Sequence, residues 1–418
     1  MKVTNQSRSM SRRKVMAGAL LAPAAALAQA TKPASSKPWS KEYWAQKGAV
    51  KLYMFRKRKT SPKAGEKPLP VLLLIHGSSN SSRSSFDLAT PGRGEYSVMN
   101  VFARLGYDVW TMDHENYGRS SQTQSNSDIA SGVQDIQAGT EVIARVTGRH
   151  KVHLFGESSG GLRAGAYAMA EPNRVDRLVL GAFTYKGDNS PTLTERAKNL
   201  DYYRTHNRRL RDRDMIRSIF TRDKPGTTDP AIAEFLADEE LKFGDQVPTG
   251  TYLDMTANLP VVDPKRVTAP VLLVRGEYDG IATMSDLTDF FSQLPSGDRQ
   301  LVVLPGMAHS VVMGLHRQIL LARHARISVF ADIGASNTQR VNYENFPCLF
   351  AIDTRGLFDR QAGGSFGDRV RRRAAHYRRR QRAGRKLGVR DGERENHRCR
   401  TQGRHHGSGR RGARRSDR

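Results

Sequence analysis

Lys151-Val152-His153-Leu154-Phe155-Gly156-Glu157-Ser158-Ser159-Gly160-Gly161 runs an apolar, β-prone segment straight into a serine bracketed by glycines. The pattern is G-x-S-x-G with Ser158 at its centre. It places the serine on a strained turn between a strand and a helix, where the lack of side chains at Gly156 and Gly160 leaves room for the turn. The hydroxyl is then exposed at the sheet edge. A helix over Leu162 to Glu171, rich in small residues, aims its first unpaired N–H groups back at the turn, so the amide of Ser159 can meet a forming oxyanion. Taken alone, such a pentapeptide also fits a solvated loop. The flanking strand, the flanking helix, and an acid and a histidine later in the chain argue for a nucleophile.

Outward from this turn the chain alternates strand and helix. Upstream, Asp128 to Thr147 has apolar residues at helical spacing (Ile129, Val133, Ile136, Val142, Ile143, Val146) and reads as a crossover helix. Leu69 to His76 is a continuous apolar run of strand length, as expected for a strand covered on both faces. A helix over Tyr96 to Leu105 leads into a strand over Tyr107 to Met112, and Val50 to Lys57 reads as a weaker first strand. Downstream, Val175 to Phe183 makes the next strand. The short connections predict an α/β fold with a mostly parallel, doubly wound sheet and helices on both faces.

Three stretches carry a family resemblance. His76-Gly77 ends one apolar strand, Asp113 to Ser121 (Asp-His-Glu-Asn-Tyr-Gly-Arg-Ser-Ser) follows another, and Gly276-Glu277-Tyr278-Asp279 ends the apolar run Val271 to Val274. Together with Ser158 they resemble the α/β-hydrolase superfamily, although Asn116-Tyr117 stands where a small residue is usual. The resemblance implies that the loop after His76 supplies a second oxyanion N–H, from Ser78 with Ser79 next in line. His76, Asp113 and Arg119 would be structural, with His114 and Glu115 at the pocket edge. Asp279 would be the acid that holds an imidazole in the correct tautomer. Glu277 is its nearest rival, Asp188 a remoter one, and capping of a helix over Ala282 to Leu294 is the plain structural role for Asp279.

Gln300 to Ser310 is another apolar strand ending in a loop, and its histidine, His309, is the candidate general base. An imidazole can take the proton of Ser158 and return it to a leaving group. The order Ser158, Asp279, His309 agrees with the superfamily and differs from the two common protease orders. Between the two parts of the sheet, Thr184 to Val262 shows no apolar strand but helical spacing at Met215, Ile216, Ile219, Phe220, Ile232, Phe235, Leu236 and Leu241. It reads as an inserted helical cap, in which the run Asn207 to Asp214 is a solvated arginine-rich face. The long Ser- and Gly-rich loop Ser79 to Glu95 should border the pocket mouth.

The expected function is a serine hydrolase of a carboxylic ester or related acyl bond in a small organic molecule. Carbon–carbon bond hydrolysis, lactonase and amidase chemistry use the same triad and stay open. Serine at 158 argues against the relatives that place aspartate there, the haloalkane dehalogenases and epoxide hydrolases. No organic or metal cofactor is implied. The run 156–161 lacks the G-x-G-x-x-G spacing of a dinucleotide site.

The ends differ from the body. Met1 to Ala30 resembles a twin-arginine export signal, with Ser11-Arg12-Arg13-Lys14-Val15-Met16, the apolar run Ala17 to Ala28, and a cleavage site at Ala28-Gln29-Ala30 or Ala26-Leu27-Ala28. That run is too short for a membrane span, and the expected location is periplasmic or secreted. Residues 31–183 and 263–323 form the expected core, and 184–262 the cap. From Ala325 to Arg418 there are 23 Arg and 1 Lys against 9 acidic residues, so this tail supplies +15 of the net charge of +27. With the five basic residues of the signal set aside, the body carries +7. The tail cannot bury a core and reads as disordered or as an out-of-frame extension. A binding arm for nucleic acid or another anionic surface is the alternative from a different class, supported by charge alone. Both cysteines, Cys348 and Cys399, fall in it, so the body folds without disulfides.

Overall fold

A computed structural model describes residues 37–321. The residues read as an export signal, the tail and both cysteines lie outside the described residues. Ten strands are described: β1 (Trp39–Lys47), β2 (Val50–Arg58), β3 (Val71–Ile75), β4 (Asp108–Met112), β5 (Val152–Glu157), β6 (Val175–Gly181), β7 (Arg208–Leu210), β8 (Gln246–Pro248), β9 (Val271–Gly276) and β10 (Arg299–Leu304). Eight of them form one sheet in the order β1-β2-β4-β3-β5-β6-β9-β10. β2 is antiparallel to both its neighbours, and every pairing from β4 to β10 is parallel. Chain order reverses direction between β3 and β5, which opens a crevice at the carboxyl ends of the strands.

Alternation along each strand explains the double-sided core. Leu73, Ile75, Leu154, Leu178, Leu180 and Leu273 point to one face, while Leu72, Leu74, Phe155, Val179, Leu272 and Val274 point to the other, all buried. The chain carries the helices α1 (Ser82–Phe86), α2 (Val98–Arg104), α3 (Ile129–Thr147) and α4 (Ser159–Ala170) around the first part of the sheet. α3 and α4 cover the first face through Ile129, Ile136, Ile143 and Leu162, whereas α1 and α2 cover the second through Phe86, Val98 and Phe102. Asp128 caps α3 by accepting the amide of Ser131 at 2.7 Å, and Gly148 (φ 70°) ends it in the left-handed conformation.

Between β6 and β9 lie α5 (Pro191–Ala197), α6 (Leu200–Thr205), α7 (Arg213–Thr221), α8 (Pro230–Glu240) and α9 (Gly250–Ala257), and α10 (Met284–Gln293) follows β9. The sequence reading missed β7 and β8, which pair antiparallel as a small ribbon inside this helical region. Its arginine run is also not a solvated helix face. Arg208 to Leu210 is ribbon, and Arg211 is buried, bonded to the carboxylate of Glu240 and, at 2.8 Å, to its carbonyl. Glu240 in turn accepts the Ser81 amide at 2.6 Å and the Ser81 hydroxyl at 2.7 Å. One buried ion pair thus ties the inserted helices to the loop after β3.

β1 is a further correction, because no strand was expected before Val50. Residues 39–47 form a hairpin with β2 through Gly48, whose φ is 54°. Half of β1 faces solvent, Trp44 included at 47% exposure, so no apolar alternation marks it. Among the described residues no helix is long and apolar enough to cross a membrane.

Candidate active site

Ser158 sits at φ 59°, ψ −127°, directly before the first residue of α4. A non-glycine residue holds such a backbone only where the surroundings impose it. Here the Ser158 amide donates to Gly181 O at 2.8 Å and the Gly161 amide donates back to Ser158 O at 2.9 Å. Strand β5 and helix α4 then approach so closely that a Cβ at Gly156 would overlap the carbonyl of Gly160. At Gly160 it would overlap the Ile75 carbonyl oxygen and lie 2.6 Å from that of His76. Neither obstacle is a flexible side-chain tip. Gly160→Ala is therefore expected to cost at least about 3 kcal/mol, the upper range for overpacking a rigid site, read as a lowered urea midpoint with an unchanged m-value. A variant as stable as the parent would show that the turn can open without cost.

The loop after β3 is built by a neutral histidine. His76 Nε2 accepts the His114 amide at 3.1 Å, which leaves Nδ1 to donate to Gly77 O at 2.8 Å. Complete burial, then the nearby His114 and Arg163, hold its pKa well below the usual value, so it stays uncharged. Gly77 lies against the serine: a Cβ there would be 3.2 Å from Ser158 Cβ. Ser78 Oγ donates to Ser159 Oγ at 2.7 Å, and Tyr117 Oη donates to Ser78 O at 2.9 Å. Those bonds fix the backbone of Ser78 beside the start of α4. Among the described residues no protein acceptor takes the Ser78 or Ser159 amide.

His309, after β10, links the remaining pieces. Its Nε2 is 2.9 Å from Ser158 Oγ and its Nδ1 is 2.9 Å from Asp279 Oδ1. Asp279 is buried, yet its pKa is lowered: burial opposes the charge, and His309 with the amides of Ile281 and Ala282 outweighs it. Those amides donate to the same Oδ1 at 2.9 and 3.2 Å. An ionised carboxylate only accepts, so Nδ1 carries the proton and Nε2 is free to accept from the Ser158 hydroxyl. The cap of α10 is Thr283, which accepts the Asp286 amide at 3.4 Å, so Asp279 is not needed there. Its rivals lie elsewhere. Glu277 accepts the Gly306 amide at 2.8 Å, and Asp188 is exposed.

Other sequence assignments fall differently. Asp113 braces the site from below, accepting Ser82 N at 2.8 Å, Ser82 Oγ at 2.6 Å and Arg119 N at 2.8 Å. The Arg119 side chain pairs with Glu42 at 2.5 Å. His114 and Glu115 are not pocket-edge residues. His114 Nδ1 meets the Asp135 carboxylate at 3.0 Å and Glu115 meets Lys47 at 2.8 Å, both in a buried network away from the serine. Ser79 Oγ bonds Tyr252 Oη at 2.7 Å, outside the amide pair.

A cavity of about 50 Å³ holds Ser158 and His309 together with Gly77, Ser78, Glu157 and Ser310. Burial, opposed by the Val312 and Val311 amides, pushes the Glu157 carboxyl up to about 7. A larger cavity of about 720 Å³ adjoins it, bounded by Asp279, Tyr278 and residues of α5 to α7. Arg196, Ile219 and Arg222 line both. Asp223 lines the larger cavity, and its carboxylate, 2% exposed, keeps one oxygen without a hydrogen-bond partner among the described residues. The sequence did not single out Arg196, Arg222 or Asp223, because only the packing of the inserted helices brings them to the site. Asp223, Asp279 and His309 are the one acidic and histidine group among the described residues whose ligand atoms lie within 4.8 Å of one another. Two of the three already bond along the serine chain, so a cation there would compete with it.

Comparison with known proteins fits this geometry. The family model described as serine aminopeptidase, S33, matches residues 66–315. A 2-hydroxy-6-oxononadienedioate/2-hydroxy-6-oxononatrienedioate hydrolase of Paraburkholderia phymatum is 31% identical over 117 residues, covering 26% of this chain. The chain spans only about a third (35%) of the length of that curated relative. The monoacylglycerol lipase of Mycolicibacterium smegmatis is 24% identical, over 61% of this chain and 86% of the lipase. Among solved structures, E-2-(acetamidomethylene)succinate hydrolase superposes with a TM-score of 0.51 at 19% identity, over 70% of this chain and all of the other. With a matching model over more than half its length and the serine at the crevice of a doubly wound sheet, the chain belongs to the α/β hydrolases, in the family described as serine aminopeptidase, S33.

Proposed function

We propose that the protein is a serine esterase that cleaves a small carboxylic ester through an acyl-enzyme. The observation that carries this is the unbroken chain from Ser158 Oγ through His309 to Asp279, with both contacts at 2.9 Å. His309 Nε2 takes the hydroxyl proton as Ser158 Oγ attacks the carbonyl carbon, and Asp279 stabilises the imidazolium that forms. The carbonyl oxygen becomes an oxyanion between the amides of Ser78 and Ser159. His309 then gives the proton to the leaving alcohol, and later removes one from the water that releases the acid. The inserted helices roof this site as a cap and set the choice of substrate. The lipase relative, an acyl hydrolase matched over most of its length, favours ester cleavage.

Carbon–carbon bond hydrolysis is the second reading, favoured by the Paraburkholderia relative. A panel of short-chain esters, matched amides and vinylogous diketones separates the two. The esterase reading expects kcat/KM for esters at least about a hundredfold above the others, since an uncharged, good leaving group needs the least help. Faster cleavage of the diketones would replace it. Export by the twin-arginine route belongs to the same proposal, supported by Arg12-Arg13 and the apolar run after them. Peptide mapping of exported protein should find Thr31 or Gln29 as the first residue, and an intact Met1 would sink that route.

A further inference from the structure

Arg196 and Arg222 line both cavities and Arg209 lines the larger one, and of the three only Arg222 has an ion-pair partner among the described residues. Arg196 of α5 and Arg209 of β7 both lie over one ring, 5.0 and 4.7 Å from the centroid of Tyr252. Arg196 makes only a 4.0 Å contact from Nη1 to Met255 Sδ, and neither arginine has an ion-pair partner among the described residues. The nearby acids are shared with other cations, although one Asp223 oxygen keeps no hydrogen-bond partner among the described residues. Glu195 pairs with Lys198 at 2.6 Å, and Asp223 pairs with Arg222 at 3.2 Å. Arg275 spends its guanidinium on the carbonyls of Ala282, Glu277 and Asp279. Burial, and then repulsion by Arg222, lowers the Arg196 pKa to about 10.

Like charges held together in a half-buried cavity are costly unless something anionic completes them. The larger cavity, about 720 Å³, has room for such a group, and Arg196 lines it and the serine cavity alike. We propose that Arg196 and Arg209 form a carboxylate-binding subsite, so that the ester cleaved at Ser158 belongs to a molecule carrying a free carboxylate. This inference rests on the esterase reading for the bond broken, but not for the binding. Guanidinium groups offer the paired N–H donors that a carboxylate accepts, and the Tyr252 ring holds them in place. No covalent step is added.

Two measurements test it. The first uses Ser158→Ala protein and calorimetry, so that turnover is irrelevant. Glutarate should bind at least about tenfold more tightly than glutaramide. Adding Arg196→Gln or Arg209→Gln should remove that difference, while Arg196→Lys retains part of it; near-ultraviolet circular dichroism checks that each variant is folded. The second compares kcat/KM of the active protein for the 4-nitrophenyl monoester of glutaric acid and for 4-nitrophenyl valerate, with the ratio falling at least about tenfold in Arg196→Gln. Equal binding of glutarate and glutaramide, or a ratio that Arg196→Gln and Arg209→Gln leave unchanged, would overturn the subsite. Tighter binding of inorganic phosphate than of glutarate would overturn the carboxylate and assign the pair to phosphate. Arginine-dependent glutarate binding without cleavage of either ester would instead keep the subsite and reject the esterase reading.

Discussion

Ser158→Ala protein should lose esterase turnover by about 10^4- to 10^6-fold in kcat while KM stays within a few-fold of the parent. On this proposal the hydroxyl is the atom that attacks, and among the described residues its only hydrogen-bond partner is His309 Nε2, so the fold loses little with it. What remains, the two amides beside the turn, can still stabilise an oxyanion made by water, which keeps the residual rate above background. Thermal unfolding should move little in Ser158→Ala, because alanine must hold the same φ of 59°. Ser158→Gly should be more stable than either by about 1 kcal/mol, since glycine adopts that backbone freely. Stopped-flow and steady-state assays with a 4-nitrophenyl ester, beside urea titrations, read both effects. A Ser158→Ala rate within tenfold of the parent would place the chemistry elsewhere.

Asp279→Ala should lower kcat by about 10^4-fold. Without the carboxylate nothing fixes the proton on His309 Nδ1, and the imidazolium that forms during attack faces a buried, uncompensated site. Asp279→Asn is the more informative partner. All three bonds of Asp279, from His309 and from the amides of Ile281 and Ala282, converge on Oδ1. An asparagine that places its oxygen there keeps the imidazole tautomer and loses only the charge. Its amide nitrogen then occupies the place of Oδ2, which has no hydrogen-bond partner among the described residues. We therefore expect the loss in Asp279→Asn to be at least about tenfold smaller than in Asp279→Ala, with a stability cost of about 1–3 kcal/mol for the unsatisfied buried amide. Equal losses in the two variants would mean that charge, and not tautomer, is what Asp279 supplies.

How far the fold was legible depends on what each element buries. β3, β5, β6, β9 and β10 read clearly because each is largely an apolar run, the first four mostly covered on both faces and β10 an edge strand, and three of them lead into a chemically distinctive residue: Ser158, Asp279 or His309. His76 and Asp113 also follow strands, which is why bracing roles could be assigned to them. β1 was hidden because an edge hairpin exposes half its side chains. β7 and β8 were hidden because three-residue strands have no period to detect. Long-range electrostatics was the least visible part. Arg211 finds Glu240 across 29 residues, and Lys47 at the end of β1 finds Asp135 of α3 at 2.5 Å, so a paired arginine or lysine looked like any solvated one. The same holds for Arg196, Arg209 and Asp223, whose neighbours exist only once the inserted helices pack over the crevice.

The measurement closest to the central claim is intact-mass and peptide analysis after treatment with a serine-directed fluorophosphonate. Such a reagent labels a serine only where a base and an oxyanion site activate it. One adduct per molecule, on the peptide holding Ser158 and absent from His309→Ala protein, is the predicted result. An unlabelled folded protein, or an adduct on Ser78, Ser159 or Ser310 in place of Ser158, would contradict it.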